Sequence, residues 1–183
     1  MSVQAPPMTP KEFEVFVLLP QNADARLELI AGEVVTLVSN QESSRLAARI
    51  LILIGSYLEK NPVGFVTGAD GGYQVGNDRY IPDVAFMSYS RQAVPSKEVY
   101  NSVPPDLAVE VVSPTDEMGD VLSKVNNYQL AGTVVWVVFP TKKEIGVFVP
   151  GQTAKTLGIN DALDGGNVFP GFAVAVKDIF TAK

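Results

Sequence analysis

Val134-Val135-Trp136-Val137-Val138-Phe139 is apolar at every position, so both alternating sets of side chains need covering. Such a strand belongs in the middle of a sheet with elements layered above and below it. Just before it, Asp120 to Ala131 reads as a helix, with Gly132 placed as its C-terminal cap residue. Just after it, a polar Pro140-Thr141-Lys142-Lys143-Glu144 turn leads to a second strand, Ile145 to Val149. Further back, Phe65 to Thr67, Gly72 to Val75, Asp83 to Met87 and Leu107 to Val112 read as short strands, with Asn77-Asp78 a turn between two of them.

Between Ser43 and Lys60, Leu46, Ala47, Ile50, Leu51, Ile54, Tyr57 and Leu58 recur at helical spacing, opposite Glu42, Arg45, Arg49, Ser56 and Lys60. This predicts a long helix lying on a sheet, stopped by Pro62. Nearer the start, Leu27 to Val38 reads as a hairpin around Ala31-Gly32. A short helix opens at the capping pattern Thr9-Pro10 with Glu12, and Pro20 should end it. The tail, with Asp164-Gly165-Gly166 and Pro170-Gly171, reads as short strands and turns. The expected architecture is α/β or α+β: one mixed central sheet flanked by two main helices.

The chain has 183 residues, the length of one domain, and 46% hydrophobic against 19% charged residues excludes disorder and coiled coil. Residues 1–10, with three prolines, are expected to be a flexible lead-in to a single domain over 11–183. Strongly apolar stretches such as Ile50 to Ile54 are too short for a bilayer, and MSVQAPP lacks the layout of a signal peptide. The expectation is a soluble, cytoplasmic protein without a membrane partner.

There is no cysteine and no histidine. Disulfides, thiolate zinc sites, cysteine nucleophiles, Ser-His-Asp triads and histidine-ligated metals are thereby excluded. Proton chemistry near neutrality must use carboxylates, lysine, tyrosine or metal-bound water, which leaves hard-metal chemistry on oxygen ligands as the main catalytic option. The net charge of −6 argues against wholesale electrostatic capture of nucleic acid but leaves room for a local basic groove.

Glu110 is the lone charge in Leu-Ala-Val-Glu-Val-Val, and a carboxylate buried without a partner costs several kcal/mol. Either it reaches solvent or forms a structural ion pair, or it serves a site. Asp83 stands at the mouth of a second apolar strand, where a turn or strand-end role is the bland alternative. If the two strands pair, the carboxylates could converge on one divalent cation. Magnesium suits that arrangement, because it takes one or two carboxylates, keeps several waters and accepts a substrate phosphate. Lys124 lies at the edge of the apolar arc formed by Val121, Val125 and Tyr128. It either snorkels to the surface or points inward, where it could orient water and neutralise charge in phosphoryl transfer.

In their order along the chain, Asp83 in PDVAFM, Glu110 in LAVEVVSPTD, and Lys124 followed by Tyr128, Gly132 and the Trp136 strand resemble the bacterial Uma-type family. Its members are assigned as restriction endonucleases, by fold and motif, within the PD-(D/E)XK nuclease superfamily. LELIAGEVV is similar to the family's early hairpin and ALDGGNVFPGFAVAVKDIF to its C-terminal end, so the resemblance covers nearly the whole chain. It implies a restriction-endonuclease-like core with Asp83 and Glu110 as metal ligands. The leading expectation is then a metal-dependent DNA endonuclease using magnesium or manganese, in which the Val111 carbonyl could be a further ligand and Lys124 acts on the nucleophile. A homodimer would suit cleavage of two antiparallel strands.

Two positions depart from the family pattern. The superfamily lysine usually lies two residues after the acid, where this chain has Val112, so its role would pass to Lys124. Many relatives carry a histidine at the start of the long helix, where this chain has Ser43. The competing expectation is a catalytically inactive nuclease fold that binds nucleic acid or itself. Glu42 could assist a metal or simply stabilise the helix start, Arg45 and Arg49 could contact phosphates or sit on a solvated face, and Ser113 to Asp116 reads as a turn. Gly71-Gly72 and Gly165-Gly166 read as turns, neither being a phosphate-cradling loop.

Overall fold

A computed structural model describes residues 7–114 and 116–181; residues 1–6 of the expected lead-in and Thr115 of the Ser113–Asp116 turn lie outside the described residues. In chain order the elements are α1 (Pro10–Val17), β1 (Leu27–Ile30), β2 (Glu33–Thr36), α2 (Gln41–Leu58), β3 (Gly64–Gly68), β4 (Gly72–Val75), β5 (Asp78–Tyr80), β6 (Val84–Ser88), β7 (Tyr100–Asn101) and β8 (Leu107–Val111). Then follow α3 (Met118–Leu130), β9 (Val134–Phe139), β10 (Glu144–Phe148), β11 (Lys155–Leu157), β12 (Ala162–Gly165), β13 (Phe169–Ala175) and α4 (Val176–Phe180).

Local chemistry accounts for several boundaries. Thr9 and Glu12 form the reciprocal capping box that opens α1. Ala31 and Gly32, with φ of 51° and 85°, make the tight β1–β2 turn, whose twist demands positive φ at both positions. The long helix begins two residues earlier than its apolar stripe suggests, because Asn40 caps it: its side-chain oxygen accepts the Ser43 N–H at 2.9 Å. Gly132, at φ 78°, ends α3.

The mixed central sheet has the order β11-β10-β9-β8-β6-β3. The β8–β9 pair is parallel, with α3 as the crossover, and its other pairs are antiparallel. One expectation is refined: the N-terminal hairpin does not join this sheet. It belongs to a second sheet, β2-β1-β5-β4-β7, while β12 and β13 pair separately. Asp78, read as a turn residue, begins β5.

Alternation along the central strands sorts the core into two layers. Val109, Val111, Trp136, Val138, Val84 and Phe86 pack with Leu46, Ile50 and Ile54 of α2. Ala108, Val135, Val137, Ala85 and Met87 pack on the other side with Val121, Val125 and Tyr128 of α3. Each fully buried large apolar side chain contributes about 1.5–3 kcal/mol, so the two layers hold the sheet from both faces. The aromatic ring of Trp136 stacks on Phe172 of β13 at 6.1 Å, which closes the α2 side with the C-terminal hairpin. No helix among the described residues is long and apolar enough to cross a membrane.

Candidate active site

The strand register decides where the acids stand. β6 and β8 pair antiparallel with Val84 opposite Val109, so one residue further along Asp83 lies opposite Glu110. Directly opposed residues project to the same face of a sheet. Glu110 alternates with Val109 and Val111, and therefore shares the face of Ala108, on the side of α3. Asp83 Oδ2 accepts the backbone N–H of Val111 at 2.7 Å, which ties the strand mouth to the neighbouring strand. The described residues make no other hydrogen bond to that carboxylate.

Lys124 comes to the same place from the helix. It is 8% exposed, and its Nζ lies 3.2 Å from Glu110 Oε2 and 2.6 Å from Glu28 Oε2. The ammonium also stands 5.6 Å from the centre of the Tyr80 ring. Tyr128 donates its hydroxyl to Glu110 Oε1 at 3.3 Å. The inward alternative for Lys124 is the one the structure adopts, and Glu110, 8% exposed, forms an ion pair with it.

Glu28 was not singled out in the sequence, although the signal was present. In Leu27-Glu28-Leu29-Ile30 it is a lone charge in an apolar run, as Glu110 is in its own strand. It is fully buried, and its Oε1 accepts the Ile81 N–H at 2.7 Å. Arg26 also lines the cleft.

Three carboxylates around one ammonium cannot all ionise freely. Burial pushes Glu110 up to about 8, against the pull of Lys124 and with the push of Glu28 and Asp83. Burial likewise raises Glu28 and Asp83, opposed in Asp83 by the Val111 N–H and by Lys124. For Lys124 burial works downward, but Glu110 and Glu28 outweigh it and hold the ammonium above its ordinary range. The ammonium stays charged, and the buried acids around it are held toward their protonated forms.

A cleft of about 410 Å³ opens over Asp83, Glu110 and Lys124. Glu28, Asp116, Glu117 and Asp120 also line it, so six acids face only Arg26 and Lys124. Asp116 accepts the Ser113 N–H at 2.7 Å through Oδ2, in keeping with the turn reading of that segment. Glu42 and Ser43 do not line this cleft; they border an adjoining cavity of about 200 Å³ that shares Val112 and Ser113 with it. Arg45 and Arg49 are neither phosphate contacts in the cleft nor merely solvated: they donate to the Phe180 and Asp178 carbonyls, at 3.1 and 3.3 Å, and hold α4 against α2.

Among the described residues no group of three or more acids converges as a ready metal cage. The donor set is instead two carboxylates from opposed strands beside an open cleft, with oxygen donors only. That matches the modest number of protein ligands magnesium takes, and not the larger cage calcium prefers.

Comparison with known proteins agrees with this geometry at the level of the fold. No curated protein matches the sequence. A crystal structure described as a "putative nuclease belonging to DUF820" from Anabaena variabilis superposes with a TM-score of 0.82 at 18% identity, covering 95% of this chain and 98% of that one. At that identity the likeness concerns the fold, which is the restriction-endonuclease-like arrangement of a mixed sheet between helices. The sequence matches the Uma2 family, described as "Putative restriction endonuclease", over residues 13–177, and the chain belongs to that family.

Proposed function

We propose that the protein is a magnesium-dependent endonuclease that hydrolyses phosphodiester bonds of DNA in the cleft shared by Asp83, Glu110 and Lys124. The observation that carries this reading is the opposition of Asp83 and Glu110 on adjacent strands, with an inward lysine beside them in an open cleft. Membership of the Uma2 family supports it. Asp83 and Glu110 would hold the cation, with the Val111 carbonyl as a further ligand. When bound, magnesium or manganese would supply Lewis-acid charge and a lowered pKa for water. Lys124 places a fixed positive charge where the phosphate would accumulate negative charge. The six acids make the cleft repel DNA until a cation offsets them, so substrate binding should itself depend on the metal.

The test is cleavage of plasmid and linear DNA with magnesium or manganese, before and after Asp83→Asn and Glu110→Gln. Loss of metal-dependent cleavage in both, with the fold retained, supports the assignment; cleavage surviving either change overturns it. The reading includes a cytoplasmic setting and a homodimer, the latter checked by sedimentation.

A second reading is a nuclease fold that binds nucleic acid, or itself, without cutting. The excess of acids in the cleft and the buried Ser43, whose hydroxyl finds no hydrogen-bond partner among the described residues, favour it. Titration with manganese separates the two, since a site without function should show no saturable uptake.

A further inference from the structure

Glu28 is the most deeply buried charged side chain among the described residues. Its neighbours Leu27, Leu29 and Ile30 are buried too, and an apolar residue at 28 would complete the row without removing a charge from water. The row itself does not call for a carboxylate, so its reason lies in the two groups it meets. Its two oxygens act on different parts of the cleft: Oε1 holds the Ile81 N–H at 2.7 Å, two residues before Asp83, and Oε2 meets Lys124 Nζ at 2.6 Å. Glu110 Oε2 lies 3.2 Å from the same ammonium and accepts its hydrogen bond, whereas the shorter Glu28 contact is an ion pair without hydrogen-bond alignment, so Glu28 acts on the lysine through charge.

We propose that Glu28 is a positioning residue that holds the Lys124 ammonium, leaving Glu110 available to a divalent cation. The inference rests on the metal-dependent reading of the cleft. An ammonium and a divalent cation compete for one carboxylate, because each is a counter-charge for it. With the charge at 28 removed, the whole attraction of Lys124 falls on Glu110. A buried acid that already compensates the lysine relieves that competition and keeps the amine in reach of the cleft, as outer-shell partners orient metal ligands elsewhere.

The full-length protein is titrated with Mn²⁺ by calorimetry, without nucleic acid. Glu28→Gln, which keeps an acceptor for Ile81 but loses the charge, should weaken binding about tenfold. Adding Lys124→Met to that variant should restore the affinity of Lys124→Met alone. If Glu28→Gln binds like the unmodified protein, or if the double variant stays weak, which would make Glu28 itself a ligand, the proposal is overturned. Should Glu28→Gln fail to fold, Glu28→Asp, which withdraws the charge by one methylene, is compared in the same way and should bind more weakly than the unmodified protein.

Failure of the metal reading shows separately, as no saturable uptake by the unmodified protein. The holding of Lys124 is then read by side-chain nitrogen NMR of the metal-free protein: a resolved Lys124 ammonium signal should vanish in Glu28→Gln and survive in Glu110→Gln. The reverse pattern would overturn the positioning role whatever the metal does.

Discussion

Asp83 Oδ2 accepts the Val111 N–H at 2.7 Å, so the acid at the mouth of one strand is fastened to the residue that follows Glu110 on the next. The bond makes Asp83 part of the sheet as well as of the cleft. Asparagine keeps an acceptor for that N–H while losing the charge. Asp83→Asn is therefore expected to unfold within about 1 kcal/mol of the unmodified protein, while cleavage falls by about a hundredfold to a thousandfold. Denaturant melts and a nuclease assay on one preparation check both halves.

The pH dependence of stability follows from the acids. Glu110 is pushed up to about 8, and Glu28 and Asp83 are raised as well. Between the ordinary carboxylate range and pH 8 the folded protein binds protons that the unfolded chain has lost, so stability must fall as pH rises. There is no histidine to oppose this. The metal-free protein is expected to lose on the order of 2 kcal/mol between pH 5 and pH 8. Melting curves across that window, with and without magnesium, measure it; a flat profile, or a rise with pH, would remove the three-acid account of the cleft.

Metal uptake should show the complementary trend. A carboxylate that carries a proton near neutrality must release it to bind a cation, so affinity should climb with pH and level off above about 8. Calorimetry in two buffers of different ionisation enthalpy counts the protons released. Glu110→Gln should reduce that release.

Lys124→Met removes the charge that offsets the buried acids. Below pH 5 the acids can take protons and the loss is small; at pH 8 the variant is expected to be less stable by about 3 kcal/mol. Cleavage should be lost at every pH. An equal effect at both pH values would mean that Lys124 contributes by packing and not by charge.

Asp78 tests how α3 is aimed. Its carboxylate accepts the Ala31 N–H at 3.0 Å, the Tyr80 hydroxyl at 2.6 Å and the Asn127 amide at 2.7 Å, joining the hairpin turn to the helix one turn beyond Lys124. Asp78→Ala leaves these donors unpaired in a buried place and should cost about 2 kcal/mol. It should also lower the cleavage rate more than it changes metal affinity, because the lysine is displaced while the strand acids stay paired.

Much of this protein was legible in the order of its residues. Val134 to Phe139 identifies a central strand because an all-apolar run leaves no face for water, and Leu46 to Leu58 identifies a helix because its stripe repeats at 3.6 residues. Glu110 stood out because a charge in such a run needs a partner; Glu28 carried the same signal in a shorter run. Local periodicity, however, reports only which way a side chain faces within its own element. That Asp83 opposes Glu110, that Lys124 lies nearer Glu28 than Glu110, and that Arg45 and Arg49 serve α4 were settled by sheet register and by the docking of helix on sheet. These relations join segments far apart along the chain, and no pattern within one segment encodes its distance from another.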